Sequence, residues 1–230
     1  MSRAPRVAAA ADALLQRIGL LNNPYFAALA DGSLSLSHFR ATQEQFFFAV
    51  QYYPRPIAAL VSRIPDPAQR LDVLHNLVEE HGDFHEDQFH QNTFRRFLAS
   101  LGGRSPDLAG VPMCPAVHAF NSVLAGACAS DELNVAVCCL GIIEQAFAGV
   151  SALIGRAVVQ RKWVAAPELV HYALHTELDV RHAEEFFAMV ERRMDDKPGK
   201  AEIDRGLKLG AYAFDQLYRS LFFQTEAADA

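Results

Sequence analysis

The chain has 230 residues, 51% hydrophobic and 21% charged, with a formal net charge of −6. That suits one globular domain, 1–230, with a sizeable core, and the lack of any basic run excludes a nucleic-acid footprint. Residues 1–11 lack a signal-peptide core and no stretch is read as approaching the ~18–20 apolar residues of a membrane span, so no membrane is expected.

In chain order, residues 7–20 and 24–30 read as short helices separated by Asn22-Asn23-Pro24 and closed by Asp31-Gly32. Ser35 or Ser37 then caps a long helix through Tyr53, which Pro54 and Pro56 kink or interrupt before it resumes to Ile64. Its aromatics Phe46, Phe47, Phe48, Tyr52 and Tyr53 are too many for one face, the mark of a helix buried in a bundle. Pro65-Asp66-Pro67 opens a helix to about His81, Gly82-Asp83 breaks it, and another runs to Leu101. Residues 102–115 form the longest loop. A helix follows over 116–129, and Asp131 is expected to cap a long one to about Lys162, with Gly141 and Gly149 as sites of close packing. Ala166-Pro167 opens the next helix, which Lys197-Pro198-Gly199 ends, and 201–224 is the last. No alternating strand pattern, repeat or linker interrupts this, so the fold class is all-α, a bundle of about seven or eight helices. The four cysteines, Cys114, Cys128, Cys138 and Cys139, show no CxxC spacing. Reduced, mostly buried thiols in a cytoplasmic protein are expected, not a structural zinc.

Three segments carry chemistry. His175, Asp179 and His182 lie at i, i+4 and i+7 of the helix after Pro167. At roughly 100° per residue, His182 returns to within about 20° of His175, so two imidazoles and a carboxylate share one stripe. An ordinary polar surface is the competing explanation, and Glu177, Arg181, Glu184 and Glu185 belong to such a surface. Glu144 stands among Val135, Ala136, Val137, Cys138, Cys139, Leu140, Ile142, Ile143, Ala146 and Phe147. A carboxylate there is buried, and a buried charge needs a metal or a cation. The third segment, 79–90, holds Glu79, Glu80, His81, His85 and His90, and a solvated corner would look similar. Taking Glu80, His90, Glu144, His175, Asp179 and His182 gives three carboxylates and three imidazoles. That exceeds one zinc and matches a two-metal site with open positions, for which mixed nitrogen and oxygen ligation suits iron or manganese. Glu79, His81, His85 and His171 remain alternatives to individual members of this set.

With these residues in view, the sequence resembles the heme-oxygenase-like di-iron oxidases and oxygenases. These are relatives of the pyrroloquinoline-quinone synthase C and thiaminase II folds and of the chlamydial death-domain-associating protein. The shared pattern is Glu-x6–10-His, a lone Glu on a second helix, then His-x3-Asp-x2-His, met here by Glu80 and His90, by Glu144, and by His175, Asp179 and His182. The likeness spans roughly residues 24–193. It implies a heme-oxygenase-like helical bundle holding two iron ions, with manganese as the substitute metal, and O2 as co-substrate. It implies an oxidoreductase acting on a small amino-acid-derived or carboxylate substrate by N-oxygenation or oxidative C–C cleavage. An electron donor or reductase and a homodimer are also implied. Glu144 is the bridging, catalytic carboxylate on this view, sharing one iron with His90 and His175, with Glu80, Asp179 and His182 on the other. Phe46, Phe47, Tyr53 and Phe147 are expected to wall the substrate pocket, and Arg55 or Arg40 to meet a carboxylate. Plain core packing is the competing explanation for each aromatic. Members that make 4-aminobenzoate from their own tyrosine are expected to have Tyr beside the lone glutamate. Ile143 stands there and Phe26 takes the early aromatic place, so an external substrate is expected, with Tyr25, Tyr52 and Tyr53 as remaining candidates.

Other classes fit less well. Glu-x-x-His, the ferritin-like signature, is absent: Gly82, Asp83, Phe147 and Val180 follow Glu79, Glu80, Glu144 and Glu177 by three. No histidine precedes His38, which disfavours heme. A cofactor-free oxidase or thiaminase-like enzyme of the same fold, or a helical protein-interaction module, are the alternatives, and both would be indifferent to iron removal.

Overall fold

The computed structural model describes residues 3–102, 108 and 110–226. Ten α-helices and no strand occur among them, more than the seven or eight helices expected. They are α1 (Pro5–Ile18), α2 (Pro24–Asp31), α3 (Leu36–Tyr52), α4 (Pro54–Arg63), α5 (Pro67–Glu80), α6 (His90–Ser100), α7 (Pro115–Ser130), α8 (Leu133–Gln160), α9 (Val170–Val190) and α10 (Lys197–Glu226). Local chemistry sets most boundaries. Proline occupies the first turn of α1, α2, α4, α5 and α7, where its missing N–H costs nothing. Asn23, Ser35 and Asp66 accept hydrogen bonds from the exposed N–H groups that open α2, α3 and α5.

Pro54 interrupts the helix expected over 35–64, dividing it into α3 and α4. Three expectations change. After Glu80 the chain makes two 3-10 turns, Gly82–Phe84 and Glu86–Gln88, before α6 begins. Asp131 ends α7 and does not cap α8, which follows Glu132 with no side-chain cap. Lys197-Pro198-Gly199 opens α10, with Asp196 accepting from the Gly199 N–H at 2.5 Å. Of the long expected loop, residues 103–107 and 109 lie outside the described residues.

α8 is the axis of the bundle: α9 and α10 pack along it, α7 lies against it, and 18 of its residues are buried. By length and composition α8 could cross a membrane, which corrects the sequence reading, but 72% of its most apolar window is buried inside the bundle. Cys128, Cys138 and Cys139 are buried in this core and all four cysteines are free.

Candidate metal centre

Four helices deliver the six residues to one place. Glu80 is the last residue of α5 and His90 the first of α6. Glu144 lies midway along α8, and α9 contributes His175, Asp179 and His182. Each is at most 5% exposed. Two glycines make the convergence sterically feasible. Gly82 has φ +55°, and a Cβ there would sit 2.5 Å from the Gln88 carbonyl carbon, so only glycine lets the chain double back from Glu80 to His90. A Cβ on Gly141 would sit 2.6 Å from the Phe187 ring, so this glycine allows α8 and α9 to approach closely one turn before Glu144. Gly149, the other expected packing site, meets only ordinary contact, with Leu21 at 3.7 Å.

The side chains are bound on their outer sides and bare on their inner ones. His175 Nδ1 lies 2.7 Å from Asp179 Oδ1, and His182 Nε2 lies 2.8 Å from Glu79 Oε2. With both carboxylates ionised, as a bound metal would favour, imidazole would donate in each pair and turn the lone pairs of His175 Nε2 and His182 Nδ1 inward. Those two atoms, with Asp179 Oδ2 and His90 Nδ1, are buried and have no hydrogen-bond partner among the described residues. His90 Nδ1 is 3.0 Å from Glu80 Oε1 but outside hydrogen-bond geometry. His182 Nδ1 is 3.7 Å from Glu144 Oε2. Glu144 Oε1 accepts from the Tyr53 hydroxyl at 2.9 Å and from Asn76 Nδ2 at 3.5 Å.

Buried polar atoms left bare are rare and costly unless something binds them. One atom each from Glu144, Asp179 and His182 lie within 4.8 Å of one another. The rings of His90 and His175 meet at 4.5 Å. The donor set is nitrogen and carboxylate oxygen, so it fits first-row divalent metal. Glu80 stands beside His90, whereas the resemblance had grouped it with Asp179 and His182. The geometry pairs Glu80, His90 and His175 on one side and Glu144, Asp179 and His182 on the other.

The electrostatics favour positive charge at this centre. Burial and the neighbouring Glu144 push the Asp179 carboxyl well above its usual range. Burial opposes the charged form of His182, but Glu144 and Glu79 outweigh it and raise His182 to about 10. Burial likewise works against Glu80, yet His90, His175 and His182 hold it below its usual value. Burial lowers His175 more than Glu80 and Glu144 raise it. Glu79 is held at about 2, against burial, by His182 and Arg181. It grips Arg181 as well as His182, so it belongs outside the ligand set as the carboxylate that orients His182.

A cavity of about 50 Å³ adjoins the centre. Phe46, Tyr53, Ile143 and Phe147 are among the residues that line it. Phe47 does not: it is core, packed on Phe48 and Phe94. Arg55 is exposed and lies over the Tyr52 ring at 5.4 Å, and Arg40 pairs with Glu44, so neither reaches the cavity. The arginines failed because the turn at Pro54 aims Arg55 outward, which composition does not reveal. His81 bonds the Leu77 carbonyl at 2.8 Å and His85 is exposed, so both drop out, while His171 lines the cavity. Three contributors were missed. Asn76, one turn before Glu80, carried a helical-spacing signal. Phe120 and Phe214 come from distant helices and carried none.

The fold and the centre together define an all-α protein of heme-oxygenase-like architecture with a buried carboxylate–histidine site. Its backbone is similar to a domain of unknown function with a heme oxygenase-like fold from Shewanella denitrificans OS217. The TM-score is 0.70 at 18% identity, covering 98% of this chain and 94% of that one. It is also similar to a TenA homolog from Pseudomonas syringae pv. tomato, with TM-score 0.69, 16% identity and coverage of 91% and 86%. The model of the iron-containing redox enzyme family matches residues 40–214, and the chain belongs to that family. Among curated proteins it is 25% identical over 205 residues to a 4-aminobenzoate synthase of Chlamydia muridarum, covering 88% of this chain and 86% of the relative. A 4-aminobenzoate synthase of Nitrosomonas europaea is 21% identical over 202 residues, with coverage of 84% and 81%. The protein is an enzyme of the oxidoreductase type.

Proposed function

We propose that this protein is a di-iron, O2-dependent oxidase or oxygenase acting on a small amino-acid-derived substrate, by N-oxygenation or oxidative C–C cleavage. The observation that carries this is the set of buried, unpartnered ligand atoms on His90, His175, Asp179 and His182, aimed inward beside Glu80 and Glu144. Those six residues would hold two iron ions, which supply O2 binding and activation when bound. The chain's own residues do the rest. Asp179 and Glu79 fix the tautomers of His175 and His182, so that each presents a lone pair. Tyr53 and Asn76 hold one oxygen of Glu144 and leave the other facing His182. Phe46, Phe120, Phe147 and Phe214 give the cavity an apolar wall. No lysine or arginine lines it among the described residues, so a substrate carboxylate finds no cation there. An electron donor, a homodimer and a cytoplasmic setting complete the proposal.

The test is anaerobic Fe(II) titration followed by O2. About two irons per chain, with a visible absorption change on O2 addition, are expected. Failure to take up metal would remove the oxygenase and favour the cofactor-free alternative.

A second reading transfers the relatives' named activity, 4-aminobenzoate synthesis. Tyr53 favours it, because its phenol lines the cavity and bonds Glu144. Ile143 in the cavity wall weighs against it. Release of 4-aminobenzoate from iron-loaded protein given O2 and no added substrate, lost in Y53F, would support this alternative.

A further inference from the structure

His171 lies one helical turn before His175, is 1% exposed and lines the cavity. Its tautomer follows from its neighbour. Thr93 donates its only hydroxyl proton to the His90 carbonyl at 2.9 Å. Thr93 Oγ1 is 3.0 Å from His171 Nδ1 and therefore accepts from it. The ring is packed by Phe94 at 4.8 Å, His175 at 4.3 Å and Phe147 at 6.2 Å. An imidazolium enclosed by these rings would be a buried charge with no counter-ion against it. The ring is thus neutral, with the proton on Nδ1 and a lone pair on Nε2. That Nε2 is buried and has no hydrogen-bond partner among the described residues.

The other polar side chains of the cavity wall are committed. Glu80, His90, Glu144 and His175 belong to the metal centre, and the Tyr53 proton goes to Glu144. His171 Nε2 is left as a hydrogen-bond acceptor in an otherwise apolar wall. At ~10–15 Å³ per water by this measure, the cavity holds roughly four waters, or about five or six non-hydrogen atoms.

We propose that His171 is the specificity-determining seat for a small, largely apolar substrate, its Nε2 accepting from an amine N–H or hydroxyl O–H that the substrate carries. This rests on taking the cavity as the active site. It makes the substrate a donor-bearing molecule and not one recognised through a carboxylate.

Pyrrole and furan test it on the full chain loaded with Zn(II), a diamagnetic stand-in for iron that would occupy Glu80, His90, Glu144 and His175, because the two rings share one shape and differ in an N–H against an oxygen. Ligand-observed NMR titration is expected to show pyrrole binding about tenfold tighter than furan, the ratio for one buried hydrogen bond. H171F should bring the ratio to about one, and T93V, which frees Nδ1, should lower it about threefold at unchanged fold. Ring 15N spectra of the wild-type protein should report His171 Nε2 unprotonated. H171F should also keep the wild-type iron count. Equal binding of the two rings by wild type, a preference that survives in H171F, a protonated Nε2, or loss of an iron in H171F would each overturn the proposal. Should H171F not fold, the wild-type ratio, the ring spectra and T93V still decide. Absent iron uptake with an intact, His171-dependent pyrrole preference would sink the metal centre and leave the seat standing. Normal iron uptake with no preference would do the reverse.

Discussion

Glu79 shows how a residue next to a ligand matters without being one. Its carboxylate bridges the His182 ring and the Arg181 guanidinium, at 14% side-chain exposure. Removing its negative charge frees the His182 ring to rotate and to exchange tautomers, so the lone pair no longer points inward. Partners of this kind typically contribute about 10–100-fold in metal affinity. E79Q is therefore expected to weaken one of two iron-binding steps by that factor, and E79D to weaken it less. Iron titration by calorimetry checks this, and unaltered binding of both ions would show that His182 needs no such partner.

At the scale of single helices, α9 bears the electrostatic load. Asp179 faces Glu144 across the interface with α8, and three buried acids, Glu80, Glu144 and Asp179, converge there. Binding cations there relieves repulsion that otherwise loosens the helix. Hydrogen exchange across 171–185 should slow on iron loading more than exchange in α7 does, and equal rates with and without iron would contradict it. The N-terminal helix has a different dependence. Glu191 accepts from Arg6 Nε at 2.7 Å and from the Val7 N–H at 3.1 Å, tying α1 to the turn after α9. Burial pushes Glu191 up, but Arg6 and these bonds outweigh it and depress its pKa below 4.5. A depressed folded-state pKa adds stability that is complete above the unfolded value and is lost as pH falls through the folded one. Exchange protection of 5–18 should thus drop selectively below about pH 4.5, and E191Q should weaken that pH dependence, leaving the part that Asp195, also paired with Arg6, carries.

For the molecule as a whole, the tight layer is α8 against α10. A Cβ on Gly210 would collide with the Cys139 carbonyl oxygen and sit 2.6 Å from Ile142 Cγ2. Backbone cannot swing aside as a side-chain tip can, so the helices must separate. G210A is expected to destabilise the protein by about 1–3 kcal/mol, the usual cost of overpacking, visible as a lower Tm in calorimetry. G126A, where an added Cβ meets nothing within 4 Å, is the control and should not lower the Tm. Equal Tm values for the two variants would mean that α8 and α10 are less rigidly apposed than described.

Much of this was legible from the chain alone, and for identifiable reasons. Helices announce themselves through periodicity and through Asn, Ser, Asp and Pro at their starts, which are local effects. His175, Asp179 and His182 were found because helical spacing places them on one stripe, and Glu144 because a charge amid apolar neighbours needs a partner. The six side chains do lie together, buried, at the meeting of α5, α6, α8 and α9. Contacts between distant segments were beyond reach. That Glu79 turns to His182, that Thr93 lies against His171, that Phe214 lines the cavity and that Arg55 faces outward all depend on how helices far apart in sequence settle against α8. Spacing determines which side chains share a face of one helix; only the packing of helices determines what that face meets.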